Sequence, residues 1–143
     1  MLHALLDAGA RFLVVGAHAM AVHGVPRATG DLDLWIDPEP LNAARVWQAL
    51  LDFGAPAGSK GIAQEDLATP GIVVQIGLPP RRIDILTRVS GLDFERAWGN
   101  RVLHALGSRD VPYLSRADLV SNKRASARSK DLVDLEILER SEP

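Results

Sequence analysis

Two aspartates one residue apart, Asp31 and Asp33, begin an otherwise apolar segment that reads Asp-Leu-Asp-Leu-Trp-Ile. Successive side chains of a β-strand point to opposite faces of a sheet, so both carboxylates share one face while Leu32 and Leu34 face the core. Like charges this close repel each other unless a cation neutralises them. The segment therefore predicts a half-buried strand at residues 31–36 whose polar face is a candidate functional site.

A third aspartate, Asp84, lies in a second short apolar segment, residues 82–86, which also has the length of a strand. Asp84 can join Asp31 and Asp33 in an oxygen-lined site for Mg²⁺, which prefers carboxylates, waters and phosphates. The chemistry that fits such a site is phosphoryl or nucleotidyl transfer. Without metal the three carboxylates should repel, and we expect the pKa of at least one of them to be raised.

The segment before the aspartate pair predicts a turn that can bind an anion. Residues 12–15 form a continuous apolar run of strand length, Gly16 ends it, and residues 17–23 are typical of a short helix. A small residue lets phosphate oxygens approach the backbone, and the free amides at a helix start favour negative charge. Taken alone, Gly16 and Ala17 are more typical of an ordinary tight turn. Together with the aspartate pair on the next strand, they indicate a phosphate site.

The composition limits the classes of protein to which this chain can belong. The chain has 143 residues, 47% hydrophobic and 24% charged, which favours a single folded domain over residues 1–143. A formal net charge of −2 argues against a dedicated nucleic-acid-binding surface. The absence of cysteine from the sequence excludes disulfides, thiolate metal sites and a cysteine nucleophile. The most apolar stretch, residues 12–25, is too short to span a bilayer, so we expect a soluble cytoplasmic protein.

The order of the remaining patterns predicts an α/β (α+β) fold, with a mixed β-sheet flanked by helices. Further helices are expected at residues 2–8, 41–53, 64–67, 93–98, 115–125 and 130–139, and further strands at 72–78, 82–86 and within 101–113. The strands at 72–78 and 82–86 are expected to form a hairpin around Pro79 and Pro80. Residues 115–140 are expected to form a C-terminal helical pair within the single domain.

Several of these segments together resemble the DNA polymerase beta-like nucleotidyltransferase superfamily. Its members have a glycine followed by a small residue, an aspartate pair separated by one hydrophobic residue, and a distant third carboxylate. The chain is similar, more closely, to small bacterial nucleotidyltransferase-like proteins in residues 15–17, 26–35, 82–87 and 122–132, so the likeness covers nearly the whole chain. Ala17 stands where the wider superfamily usually has glycine or serine, and it lacks a hydroxyl that could contact a phosphate.

The resemblance implies the nucleotidyltransferase fold and the Mg²⁺-dependent transfer of a nucleoside monophosphate from a nucleoside triphosphate to a hydroxyl acceptor. It implies that Asp31 and Asp33 hold two Mg²⁺ ions together with the triphosphate. It also implies that Asp84 ligates the metal nearest the attacking hydroxyl and helps to deprotonate it. The residues expected to contact the nucleotide are Gly16, Ala17, Arg27 and Lys123.

Two of these nucleotide contacts have an ordinary alternative. Arg27 could reach a phosphate through its guanidinium, or it could be an exposed residue of a turn. Lys123 belongs to the basic cluster at the junction of the last two helices, with Arg124, Arg128 and Lys130. If that junction folds over the carboxylates, Lys123 or Arg128 could contact phosphates. Otherwise the cluster is a solvated face paired with nearby aspartates.

The sequence leaves the acceptor open. ATP is the triphosphate that we expect, with nucleic acid involved only as an acceptor and with no membrane. A homodimer or a partner protein could complete the acceptor site, because only the two C-terminal helices are available to hold it. The alternative function is a noncatalytic nucleotide-binding or protein-interaction module, such as one half of a toxin–antitoxin pair. Retention of all three aspartates favours the enzyme.

Overall fold

The structure is a computed structural model, and it describes residues 1–26, 31–55, 62–78 and 81–140. The helices are α1 (Leu2–Asp7), α2 (Gly16–Val22), α3 (Pro40–Phe53), α4 (Gln64–Leu67), α5 (Phe94–Gly99), α6 (Arg116–Ser126) and α7 (Ser129–Arg140). The strands are β1 (Phe12–Val15), β2 (Asp31–Ile36), β3 (Val73–Ile76), β4 (Arg82–Leu86), β5 (Val102–Leu106) and β6 (Arg109–Tyr113). Among the helices of these ranges, none combines the length and the apolar character that a membrane span requires.

The observed elements follow the sequence predictions closely. Strands β1, β2 and β4 have the predicted bounds, and the segment 101–113 forms two strands, β5 and β6. β3 is shorter at both ends than the predicted 72–78, and its C-terminal end is set by Gly77, which leaves the extended conformation with a positive φ of 78°. β3 and β4 pair antiparallel, as expected for a hairpin. The predicted turn at Pro79 and Pro80 lies outside the described residues.

The six strands form one mixed sheet in the order β3-β4-β2-β1-β6-β5. β1 pairs antiparallel with β2, whereas β2 pairs in parallel with β4 and β1 pairs in parallel with β6. The expected mixed sheet flanked by helices is therefore confirmed. The central position of β2 and β4 places the candidate carboxylates in the interior of the sheet rather than at an edge.

Helices cover both faces of the sheet, and each face has its own apolar core. The first core contains Phe12, Val14, Leu34 and Ile36 from β1 and β2, with apolar residues of α1, α3 and α4. The second core contains Leu13, Val15 and Trp35, with apolar residues of α2, α5, α6 and α7. Because side chains alternate along a strand, Asp31 and Asp33 lie on the same face as Trp35. We call this the second face of the sheet.

A buried ion cluster joins α6 to α7. Lys123 Nζ lies 3.3 Å from Asp131 Oδ1 and 3.0 Å from Asp134 Oδ2, and both aspartates are buried. Asp131 Oδ2 also accepts hydrogen bonds from the Ser126 hydroxyl at 2.9 Å and from Arg128 Nε at 2.7 Å. Burial alone would raise the pKa of Asp131, but hydrogen bonds from Arg128 and Ser126 and the charge of Lys123 lower that pKa to about 2. The cluster therefore fixes the position of the first turn of α7 relative to the end of α6.

The substitution Asp131→Asn should lower the free energy of unfolding at pH 7 by about 3 kcal/mol, because it leaves the Lys123 ammonium buried with one compensating charge fewer. The folded-state pKa of Asp131, about 2, is lower than that of an unfolded aspartate. Its contribution is therefore complete above about pH 4 and is lost as the pH falls towards 2. Urea denaturation from pH 7 down to about pH 2.5 should show the difference between the two proteins narrowing with acidity.

The control for this prediction is Asp110→Asn, at an exposed position of β6. It should change the free energy of unfolding by less than about 0.5 kcal/mol at any pH in the series. A difference between wild type and Asp131→Asn that is equally large at both ends of the pH range would contradict the role given to the Asp131 charge.

Candidate functional site

Two adjacent strands bring the three predicted carboxylates to one face of the sheet. β2 pairs with β4 in parallel, with Asp33 beside Asp84 and Asp31 beside Arg82. Residues side by side in a parallel pair point to the same face, so Asp84 lies on the second face with both aspartates of β2. The two carboxyl groups are close enough to interact, since the negative charge of Asp84 raises the pKa of Asp33. The strand register therefore brings together the three aspartates that the sequence singled out.

Arg82 is a residue of this site that sequence reasoning missed. Its Nη2 lies 2.9 Å from Asp31 Oδ2, and its Nε lies 3.0 Å from Asp84 Oδ1. One guanidinium thus compensates two of the three carboxylates. A signal was available in the sequence, because Arg82 and Asp84 are two residues apart in a strand and hence share a face.

The pKa of Asp33 is raised above its ordinary value. Burial is the largest cause, followed by the negative charges of Asp84 and Asp31. The positive charge of Lys130 acts in the opposite direction and lowers the pKa. The expectation that at least one carboxyl of the cluster would have a raised pKa is confirmed. The charged form of Asp33 is disfavoured in this cluster. A further cation beside it would therefore stabilise the charged form.

Gly16 allows the chain to pass close to Asp33. β1 ends at Val15, which lies beside Asp33 in the antiparallel pair of β1 and β2. Gly16 then begins α2 with a positive φ of 67°. A Cβ at residue 16 would collide with Asp33 Oδ2, so both the backbone conformation and the available space require glycine. The predicted strand, glycine turn and helix are confirmed, and Ala17 follows as the second residue of α2. Binding of an anion by their amides stays a prediction.

The junction of α6 and α7 lies close enough to the carboxylates to act on them. The positive charges of Lys130 and Arg128 both interact with Asp33, although these residues are far from it in the sequence. The junction is therefore within electrostatic reach of Asp33, and contact of Arg128 with a phosphate stays a prediction. The second face thus presents negative charge from β2 and β4 and positive charge from the start of α7.

Lys123 and Arg27, the two remaining predicted nucleotide contacts, have different outcomes. Lys123 is 6% exposed, with its ammonium beside Asp131 and Asp134. Its observed contacts thus stabilise the α6–α7 pair, and its direct contact with a phosphate stays a prediction. Arg27 lies outside the described residues.

The donor atoms of the site suit a hard cation, although in this conformation they contact a guanidinium. Carboxylate oxygens are the protein ligands that Mg²⁺ prefers. In the described ranges, no group of three histidine, aspartate or glutamate side chains has the spacing to hold one ion. Two of the three carboxylates, those of Asp31 and Asp84, contact the Arg82 guanidinium instead.

Comparison with known proteins does not assign this site. The chain matches no known protein-family model, and no curated protein is significantly similar to it. The resemblance carried by the sequence motifs therefore stands as a hypothesis. The geometry of Asp31, Asp33, Asp84 and Arg82 is the observation from which a function can be inferred.

The contact between Gly16 and Asp33 can be tested by a matched pair of substitutions. Gly9 has nearly the same positive φ, 68°, but a Cβ there would meet no atom within 4 Å. Gly9→Ala should destabilise the fold by about 1 kcal/mol through backbone strain alone. Gly16→Ala should cost about 2 kcal/mol more, because its Cβ also displaces the Asp33 carboxylate. Urea denaturation of both variants measures the difference.

A double-mutant cycle separates strain from contact at Gly16. In an Asp33→Ala background, the cost of Gly16→Ala should fall to about that of Gly9→Ala, because the carboxylate that the new Cβ displaces is gone. Equal costs for Gly16→Ala in the two backgrounds would show that the close approach to Asp33 has no energetic consequence.

Proposed function

We propose that the protein is a Mg²⁺-dependent nucleotidyltransferase that moves a nucleoside monophosphate from a nucleoside triphosphate, with ATP expected, to a hydroxyl acceptor. The observation that carries this proposal is the pairing of Asp33 with Asp84 on adjacent parallel strands, with Asp31 on the same face. The proposal includes the nucleotidyltransferase fold. It is supported by the mixed sheet and by the strand, glycine turn and helix that precede β2.

The three carboxylates have distinct parts in the proposed reaction. Asp31 and Asp33 would hold two Mg²⁺ ions with the triphosphate, and Asp84 would hold the ion nearest the acceptor. Asp84 would also accept the proton of the attacking hydroxyl. The acceptor oxygen bonds to the α-phosphorus, the bond from that phosphorus to the β-bridging oxygen breaks, and pyrophosphate leaves. When bound, the ions supply charge stabilisation to both the attacking and the leaving oxygen.

Arg82 would have to leave Asp31 and Asp84 when the ions bind. Its side chain is 28% exposed, and we expect the guanidinium to turn towards the solvent. In that position it would be a cation with the fork geometry that suits a phosphate. The raised pKa of Asp33 supports the replacement of Arg82 by metal ions, because an added cation stabilises the charged form of the Asp33 carboxyl.

The backbone at Gly16 and Ala17 would bind the triphosphate on the β1 side of the site. Gly16 borders the Asp33 carboxylate with no side chain between them. A phosphate held by a metal ion on Asp33 would therefore be within reach of these amides. Ala17 offers its amide but no hydroxyl. Lys130 adds a positive charge that already interacts with Asp33.

A second candidate function is a noncatalytic nucleotide-binding or protein-interaction module, such as one half of a toxin–antitoxin pair. The observation that favours it is the double contact of Arg82 with Asp31 and Asp84. An arginine can replace the charge of a metal ion but not its chemistry, so a site held permanently by Arg82 would have no catalytic use. The two candidate functions differ in whether Mg²⁺ displaces Arg82 from Asp31 and Asp84.

Thermal unfolding with Mg²⁺ and ATP tests the binding half of the proposal. Mg²⁺ and ATP together at about ten times their dissociation constant should stabilise the protein by about 1.4 kcal/mol, or about 4 °C, and more than either one alone. The Asp31→Asn/Asp33→Asn double variant should lose this shift. In Arg82→Gln, Mg²⁺ alone should give a larger shift than in wild type, because the competing internal cation is gone.

The matched control for the thermal shift is Asp52→Asn on α3, where the carboxylate accepts a hydrogen bond from Gln48. α3 packs on the face of the sheet opposite the carboxylates, so this variant should respond to Mg²⁺ and ATP as wild type does. The site assignment is wrong if no shift occurs at millimolar ligand, or if the shift survives in the double variant.

Transfer activity separates the enzyme from the binding module. Asp84→Asn should keep the fold and much of the affinity for ATP, because Asp31 and Asp33 remain. Its transfer rate should fall by about a thousandfold or more, because it loses a metal ligand and the proton acceptor. Host lysate incubated with the protein, Mg²⁺ and ATP labelled in the α-phosphate should show a labelled acceptor. ATP labelled in the γ-phosphate should leave the acceptor unlabelled, since pyrophosphate departs.

Two outcomes would count against this mechanism. A protein that binds ATP and labels no acceptor, with or without a partner protein, would favour the noncatalytic module. Undiminished transfer by Asp84→Asn, with Asp52→Asn as the active control, would mean that Asp84 does not have the role proposed for it.

A further inference from the structure

A cavity of about 450 Å³ lies on the second face of the sheet, where Leu86 of β4 is part of its lining. One wall begins at Leu86 of β4, which follows Asp84 by two residues on the same face, a distance of roughly 7 Å along the strand. The other walls are the chain after β4, including Arg88, and the end of α6 with the following Arg128. The cavity therefore lies on the β4 side of the carboxylates, whereas Gly16 lies on the β1 side.

The lining of this cavity is positively charged. Arg88 is exposed, and its guanidinium forms no ion pair or hydrogen bond with any residue in the described ranges. The Arg128 side chain is 69% exposed and is held in place by Asp131, whose Oδ2 lies 2.7 Å from its Nε. Among the described residues that line the cavity there is no carboxylate. Two guanidinium groups on different walls indicate an anionic ligand, and a phosphate matches their fork geometry.

Close packing holds the walls of the cavity at a fixed separation. Asn122 Nδ2 of α6 donates a hydrogen bond to the Ser90 carbonyl at 3.0 Å, which ties α6 to the chain after β4. Gly91 approaches α6 so closely that a Cβ at residue 91 would lie 2.5 Å from the Ala125 Cβ. A site whose walls are fixed before binding loses less entropy when a ligand enters.

A second cavity, of about 540 Å³, lies against the same segment of chain and shares Arg88. Arg96 lines it, but so do Asp93 and Asp118. These carboxylates oppose the binding of an anion. The first cavity is therefore the better candidate for a phosphate. Arg88 lines both cavities, so it is available to a phosphate in the first one.

We propose that the cavity formed by Leu86, Arg88 and Arg128 binds the phosphate group of a phosphate-bearing hydroxyl acceptor and directs its hydroxyl towards Asp84. The assignment to the acceptor rests on the proposed function, in which Asp84 receives the proton of the acceptor. The position on the β4 side supports it, because the triphosphate is assigned to the β1 side at Gly16. The phosphate can belong to a small sugar phosphate or to a polynucleotide.

An NMR titration of the ¹⁵N-labelled protein tests this inference without any need for activity. The probes are ribose 5-phosphate, ribose without the phosphate, and a single-stranded triribonucleotide. Amide signals of residues 88–91 and 122–128 should shift with at least one of the two phosphate-bearing probes, and ribose should leave them unchanged. Binding of ribose 5-phosphate indicates a small acceptor, and binding of the triribonucleotide alone indicates a polynucleotide.

Matched variants identify the group that binds the phosphate. Arg88→Gln should weaken binding of the active probe by about tenfold or more, because one charged hydrogen-bond donor is lost. Arg45→Gln, at an exposed position of α3 over the first face, should bind as wild type does. The inference is overturned if neither phosphate-bearing probe shifts these signals at millimolar concentration, if ribose binds equally well, or if Arg88→Gln binds as wild type does.

The same titration distinguishes failure of this inference from failure of the proposed function. The Asp31→Asn/Asp33→Asn variant should lose the thermal shift with Mg²⁺ and ATP and still bind the phosphate probe. Phosphate binding without transfer of label would overturn the proposed function and leave the cavity as a phosphate site. Transfer of label by wild type without phosphate binding in the cavity would overturn this inference alone.

Discussion

The parallel pairing of β2 with β4 is the constraint on which the rest of the site depends. It sets Asp33 beside Asp84 and, two residues away along the strands, Asp31 beside Arg82. A shift of one residue in this register would turn Asp84 towards the first core and expose the isoleucines of β4 on the second face. The alternation of polar and apolar residues in β4 therefore holds the three carboxylates together, and their mutual repulsion is the consequence.

This repulsion is compensated from two directions. Within the strand pair, Arg82 contacts Asp31 and Asp84. From the other side, the start of α7 brings the charge of Lys130 to Asp33. The start of α7 is in turn set by the buried ion cluster around Lys123. An ion cluster that stabilises the α6–α7 pair thus also sets the electrostatics of the candidate site.

The parts of the site that could be predicted follow from short-range rules. The period of two along a strand found Asp31, Asp33 and Asp84, and the same rule could have found Arg82. Gly16 could be predicted because the strand before it ends where a helix begins. The burial of Lys123 could not, since a lysine among other basic residues is usually on a solvated face. Its burial depends on two aspartates that only the packing of α7 against α6 brings to it.

The sequence by itself determined the order of helices and strands, the polar face of β2 and the mixed character of the sheet, because periodicity and turn residues act over a few positions. Only the tertiary structure decided that β2 lies beside β4, that Arg82 compensates two carboxylates, and that Leu86 and Arg88 line a cavity with the end of α6. These features join residues distant in the chain. Their positions depend on strand register and on helices packed across the sheet, which no local pattern encodes.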